Sequence, residues 1–155
     1  MSVEPSRIDP AVVDNPDTLR LTRLLPAPPE RVFDAWTLEG HRLHWACPRG
    51  ATLLSAESDL RVGGRHRLRM DVEGVPHTAS GVYREIDRPR RLVYTWDWEE
   101  EDQRMGETLV AVDFVAVEGG TEVRLTHSGF PAPEARDGHG EGWGSCLERL
   151  EELLA

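Results

Sequence analysis

Hydrophobic positions along the chain recur with two different periods, and the change from one to the other divides the sequence into elements. Residues 18–25 form a short strand-like run closed by Pro26, Pro28 and Pro29. Pro29 suits a first helical turn and Glu30 its positive dipole end, after which Val32, Phe33 and Trp36 share one helical face. A second short helix is predicted over residues 38–45, weakened by Gly40 and stopped by Pro48 and Gly50. The period then becomes two. Residues 51–60 lead to a Gly63-Gly64 turn, and residues 65–72 alternate with His66, Leu68, Met70 and Val72 on one face. Strands over 77–86 and 91–98 flank the turn Asp87-Arg88-Pro89-Arg90; the second lines up Leu92, Tyr94, Trp96 and Trp98. Residues 108–117 place Val110, Val112, Phe114 and Ala116 together, and 121–128 place Val123, Leu125 and His127 inward after the Gly119-Gly120 hairpin.

Helical spacing returns only at the end. From about Glu141, Trp143, Leu147, Leu150 and Leu154 form an apolar stripe; Gly138, Gly140, Gly142 and Gly144 predict a loose, flexible entry to that helix. One-sided patterns on consecutive hairpins mean an antiparallel sheet with one wet face. The lone amphipathic helix must bury its stripe on the other face, giving an α+β arrangement with two short helices after the first strand.

Composition narrows the function classes. A chain of 155 residues, 39% hydrophobic and 30% charged, is one globular domain and not a disordered chain. Residues 1–17, with Pro5, Pro10 and Pro16, read as a flexible arm before a domain over 18–155. A formal charge of −10 opposes nonspecific attraction to nucleic acid or anionic lipid, so neither is an expected partner. No lysine occurs, which excludes Schiff-base and P-loop-lysine chemistry. Cys47 and Cys146 stand far apart with no CxxC, the usage of a reducing compartment. With no signal-like or membrane-length apolar run, a cytoplasmic location without membrane insertion is expected.

The order β–α–α–β₆–α, with its motifs, resembles the helix-grip fold of the START/Bet v 1-like (SRPBCC) superfamily, and within it the AHSA1-like branch named after the activator of Hsp90 ATPase. The carrying residues are the run Pro28 to Thr37, Trp45 with Pro48, Asp59 to Arg65, and Gly81 to Ile86. Arg91 to Trp96, Gly120 to Val123, His127 to Phe130, and Gly142-Trp143 complete the set. The resemblance spans roughly residues 18–155 and implies a curved antiparallel sheet around a long C-terminal helix, with a ligand cavity between them. This fold hosts carriers, receptors, aromatases and resistance proteins, so it implies no single activity. Where relatives often carry a paired aromatic and a glycine, this chain has Ala46-Cys47, and Ala46 would widen a cavity mouth there. The separate N-terminal domain through which eukaryotic members engage Hsp90 has no counterpart here, so no chaperone partner is expected; a monomer or homodimer is.

Polar and aromatic residues in phase with the inner faces are the candidates for contact with a ligand. They are His66, Tyr94, Trp96, Trp98, Phe114 and His127, with Trp143 opposite on the helix and Arg84 sharing the phase of Val82 and Ile86 unless a bulge turns it outward. His66, His127 and Tyr94 would hydrogen-bond an aromatic or lipid-like ligand, or each would be a satisfied core residue. No catalytic residue is assigned; the alternative to a carrier is an aromatase/cyclase-type enzyme using His66, Tyr94, Arg84 or His127 as acid–base groups. A natural-product resistance protein is a third reading, for which no nucleophile is evident. His41, His44 and Cys47 give a spacing that can share a helical face, but with no fourth ligand nearby neither a metal nor another cofactor is expected. Pairing of His127 with His139 across the glycine-rich segment has no support in the pattern. Arg65, Arg67 and Arg69 form an outer stripe suited to cross-strand acids.

Overall fold

The computed structural model describes residues 16–155; the expected arm lies outside the described residues apart from Pro16 and Asp17. The Asp17 carbonyl accepts from the amides of Gly129 and Phe130, pinning the chain where the first strand begins.

Strand β1 (Thr18–Leu25) is followed by helices α1 (Pro29–Thr37) and α2 (Glu39–Arg42). Six more strands come next, β2 (Ala51–Ser58), β3 (Arg65–Val72), β4 (Val75–Asp87), β5 (Arg91–Trp98), β6 (Thr108–Val117) and β7 (Gly120–Ser128). Helix α3 (Pro133–Leu154) ends the fold. The strands form one antiparallel sheet in the order β1-β7-β6-β5-β4-β3-β2, every hairpin neighbour paired and β1 closing against β7. The long helix packs its buried stripe of Trp143, Cys146, Leu147, Leu150 and Leu154 against the inner face of this curled sheet. The helix-grip α+β architecture is thus the observed one.

Inward-facing residues follow the alternation read from the sequence in β3, β5, β6 and β7, where a one-residue slip would invert the apolar face; in β5 the outer Val93 and Thr95 are buried as well, and Ala116 near the end of β6 is exposed. Strand β4 departs from that reading. Its inner positions are Ala79, Gly81 and Tyr83, and a bulge between Tyr83 and Glu85 switches the parity so that Ile86 returns inward. Arg84 therefore lies outside the sheet, exposed and bonded to Glu107. At Gly81, opposite His66 in the register, an added Cβ would sit 1.9 Å from the Thr95 carbonyl oxygen. That carbonyl accepts from His66, so only glycine leaves room for the contact.

The helical elements also differ from expectation. Helix α2 is only four residues long, and its turn pattern continues as separate hydrogen bonds from the amides of His44, Trp45 and Ala46. Arg149 of α3 takes the His44 and Cys47 carbonyls, which stand in for helix continuation there. Helix α3 begins at Pro133, well before Glu141, so the four glycines lie within a helix and not in a loose entry. Gly140 accounts for part of this: its missing Cβ admits Leu19 of β1, whose Cδ1 would stand 3.2 Å from it. A Cβ at Gly144 would meet nothing within 4 Å. Gly144→Ala should therefore stabilise the protein by about 1 kcal/mol through helix propensity alone. Gly140→Ala should gain less or lose, and urea unfolding of the two variants checks the contrast.

Candidate functional site

The space between α3, the two short helices and strands β3–β5 is not filled. A cavity of about 390 Å³ opens there, lined by Trp36, Trp45, Ala46 and Pro48 on one side and by Leu68, Met70, Val72 and His77 of β3 and β4. Tyr94, Trp96 and Trp98 of β5 form its floor, and Gly138, His139, Gly142, Trp143 and Cys146 of α3 its roof. All five tryptophans of the chain line it.

Indole rings bring an N–H that costs free energy when buried unpaired, and each here has an acceptor. Trp36 donates to the Tyr94 hydroxyl at 3.2 Å, and Trp45 to the Ala35 carbonyl at 2.9 Å. Trp96 and Trp98 both donate to His139 Nε2, at 3.3 and 3.2 Å. Trp143 donates to His127 Nδ1 at 3.1 Å. The rings pack against one another, Trp36 stacked on Trp143 with centroids 6.0 Å apart and Trp96 tilted against Trp143 at 5.7 Å. The resulting wall is rigid and apolar.

These bonds fix the histidine tautomers. His139 Nδ1–H donates to the Ala135 carbonyl one helical turn back, leaving Nε2 free to accept from the two indoles. Thr108 donates its hydroxyl to the Trp96 carbonyl, so His127 Nε2–H donates to Thr108 and Nδ1 accepts from Trp143. His66 Nε2–H donates to the Thr95 carbonyl at 2.8 Å, and its buried Nδ1 has no partner. Burial, with the Arg42 charge second, pushes the His66 pKa down to about 3. Burial also holds His127 well below the ordinary range, helped by His139, and lowers His139 itself. Burial raises the Cys146 thiol and the Tyr94 phenol, each to about 12, so both are neutral.

The candidates named from the sequence separate into four groups. Tyr94, Trp96, Trp98 and Trp143 line the cavity. His66 and His127 sit behind its wall, His66 with its ring 4.7 Å from that of Tyr94, and His127 bonded to Trp143. Phe114 is a core residue under α1, its ring 5.4 Å from Phe33 and 5.7 Å from Trp36. Arg84 is outside, as the β4 bulge requires. Arg67 of the outer stripe pairs with Glu99 through two bonds. No group of three metal-ligating side chains exists among the described residues, and His41 and His44 are exposed while Cys47 is buried. The His127 and His139 rings do meet, 5.3 Å apart across the glycine-rich stretch.

Several lining residues, Trp36 and Trp45 among them, were not among the sequence candidates, and two of these carry the polar chemistry of the site, His139 and Arg42. His139 stands one turn before Trp143 on the same stripe, a signal hidden by starting the helix too late. Arg42 is 3% exposed and lines the cavity beside Trp45 and Ala46, three and four positions on along α2 and its turns. That shared spacing was its signal.

A sheet gripping one long helix over an apolar cavity defines a helix-grip protein. Over residues 26–155 the sequence matches the family described as activator of Hsp90 ATPase homolog 1-like protein, and the chain belongs to that family. A crystal structure of a Chromobacterium violaceum protein aligns at TM-score 0.83 with 27% identity, covering 90% of this chain and 97% of that one. The AHSA1 protein of Silicibacter pomeroyi aligns at 0.79 with 28% identity, covering 88% and 96%. A Rhizobium leguminosarum protein aligns at 0.74 with 29% identity, covering 88% and 93%. No curated protein matches the sequence.

The buried neutral histidines make stability depend on pH. Unfolded, each titrates near 6.5, whereas folded they stay neutral to lower pH, His66 to about 3. Below 6.5 the unfolded chain therefore binds protons that the native protein refuses, and stability falls as pH falls, levelling off only below the folded values. His66 alone should cost about 2 kcal/mol at pH 5 relative to pH 7.5. Urea midpoints at the two pH values measure this; equal midpoints would contradict neutral burial.

Proposed function

We propose that this protein binds a small hydrophobic ligand, aromatic or lipid-like, in the cavity beneath α3, acting as a carrier or sequestering module. The observation that carries the reading is the cavity itself: about 390 Å³, walled by five indoles whose N–H groups are already satisfied. Ligand sites typically run about 300–1,000 Å³, and indoles whose N–H groups are consumed present apolar faces over most of the wall. Filling that space with side chains would have been the cheaper solution for stability alone.

The cyclase-type reading has less behind it. Of its acid–base candidates, His66 and His127 lie behind the wall and Arg84 lies outside, which leaves Tyr94, a phenol held neutral, in contact with the cavity. The resistance reading needs a nucleophile, and Cys146, the thiol in the lining, is kept protonated by burial. Both cysteines are free and buried, which supports the reducing, cytoplasmic setting of this reading.

N-phenyl-1-naphthylamine, neutral and fluorescent only when desolvated, tests the reading. The wild type should enhance its emission with one-site saturation. Gly138→Leu, which places a side chain in the roof where a Cβ meets nothing within 4 Å, should weaken binding by about tenfold while the protein stays folded. Absence of enhancement, or enhancement indifferent to Gly138→Leu, would sink the proposal.

A further inference from the structure

Among the lining residues one is chemically out of place. Arg42 carries a full charge that cannot be shed by deprotonation, yet it is 3% exposed in a wall built mostly of indoles and other apolar side chains. Its Nε is buried without a partner, and among the described residues its guanidinium makes no hydrogen bond and no ion pair. The nearest acid in sequence, Glu39 of the same short helix, is turned away and accepts from the Ser58 amide. Arg149, by contrast, donates to three acceptors nearby. Arg42 lies close enough to Tyr94 and His66 for its charge to act on both.

An uncompensated buried cation is destabilising, and it persists where something outside the chain completes it. We infer that the cavity takes an amphipathic monoanion, an apolar body with a carboxylate head, and that Arg42 receives the head. The inference deepens the proposed function and rests on the cavity being a ligand site. Tyr94 adds a second donor: its hydroxyl accepts from Trp36, and among the described residues no acceptor meets its own proton. A carboxylate accepts from a guanidinium edge and a phenol together, whereas a dianionic phosphate would leave one charge unmatched by a single arginine. The other charged lining residue, Glu134, is exposed at the rim, where solvent screens it. His77 and His139 also line the cavity, and His139 is kept neutral by burial. The buried charge in the lining is thus positive and most of the wall apolar, the polarity that suits a carboxylic acid with a hydrocarbon or aromatic tail.

Decanoate and its neutral isostere decanamide test this through tryptophan fluorescence, with N-phenyl-1-naphthylamine displacement as a second readout. The wild type should bind decanoate at least about tenfold more tightly than decanamide. Arg42→Met should abolish that preference and raise the melting temperature because an unpaired buried charge is gone. Equal binding of the two probes by the wild type overturns the carboxylate inference and leaves the cavity reading intact. A preference that survives in Arg42→Met overturns the role of Arg42. Failure of both probes and of N-phenyl-1-naphthylamine overturns the inference and the cavity reading together. Should Arg42→Met fail to fold, the wild-type comparison of the two probes still decides the headgroup chemistry.

Discussion

Five indole N–H groups have to find acceptors inside an apolar enclosure, and the way they do so governs the rest of the molecule. Two reach the Tyr94 hydroxyl and a backbone carbonyl; the other three converge on His127 and His139. Those two imidazoles work as acceptors only while neutral, which burial enforces. His139 rides on α3 and its two donors on β5, so the same bonds that satisfy the indoles also hold the helix over the sheet. The helix is held at its N-terminal half by polar contacts and at its C-terminal half by the Leu147, Leu150 and Leu154 stripe.

That division explains why a cavity survives where a core would otherwise close. The C-terminal half of α3 packs solidly, whereas Gly138 and Gly142 place bare backbone over the opening. Large flat rings line the space without filling it, and they are held rigid by their own hydrogen bonds, so they cannot collapse inward. Ala46 lines the cavity beside Trp45, so the position does face it. With the indoles satisfied, Arg42 and the Tyr94 proton are two donors left unspent in the lining.

Most of the architecture was legible in the sequence because it rests on strict alternation. The patterns of β3, β5, β6 and β7 needed only period two, and each ladder confirmed which face turns inward. Where the reading failed, a local irregularity broke the period. The bulge in β4 sent Arg84 outward, and no single-strand pattern reveals whether an extra residue is accommodated before or after it. The glycines of α3 argued for a loop, since propensity does not record that Gly140 admits Leu19. Starting the helix late hid His139, and leaving α2 without an assigned face hid Arg42. The site residues that the pattern did supply, Tyr94, Trp96, Trp98 and Trp143, are those on regular elements; His66 and His127 share the right face but stand one layer behind the lining.

The account stands on the indoles forming the wall of a ligand cavity, and they can be watched directly. In ¹H–¹⁵N spectra the five indole resonances should be protected from solvent exchange in the free protein, as hydrogen-bonded N–H groups are. Titration with 2-naphthol should move all five together along one saturating curve. Saturable binding that leaves the indole resonances in place, or indoles that exchange freely before any ligand is added, would contradict it.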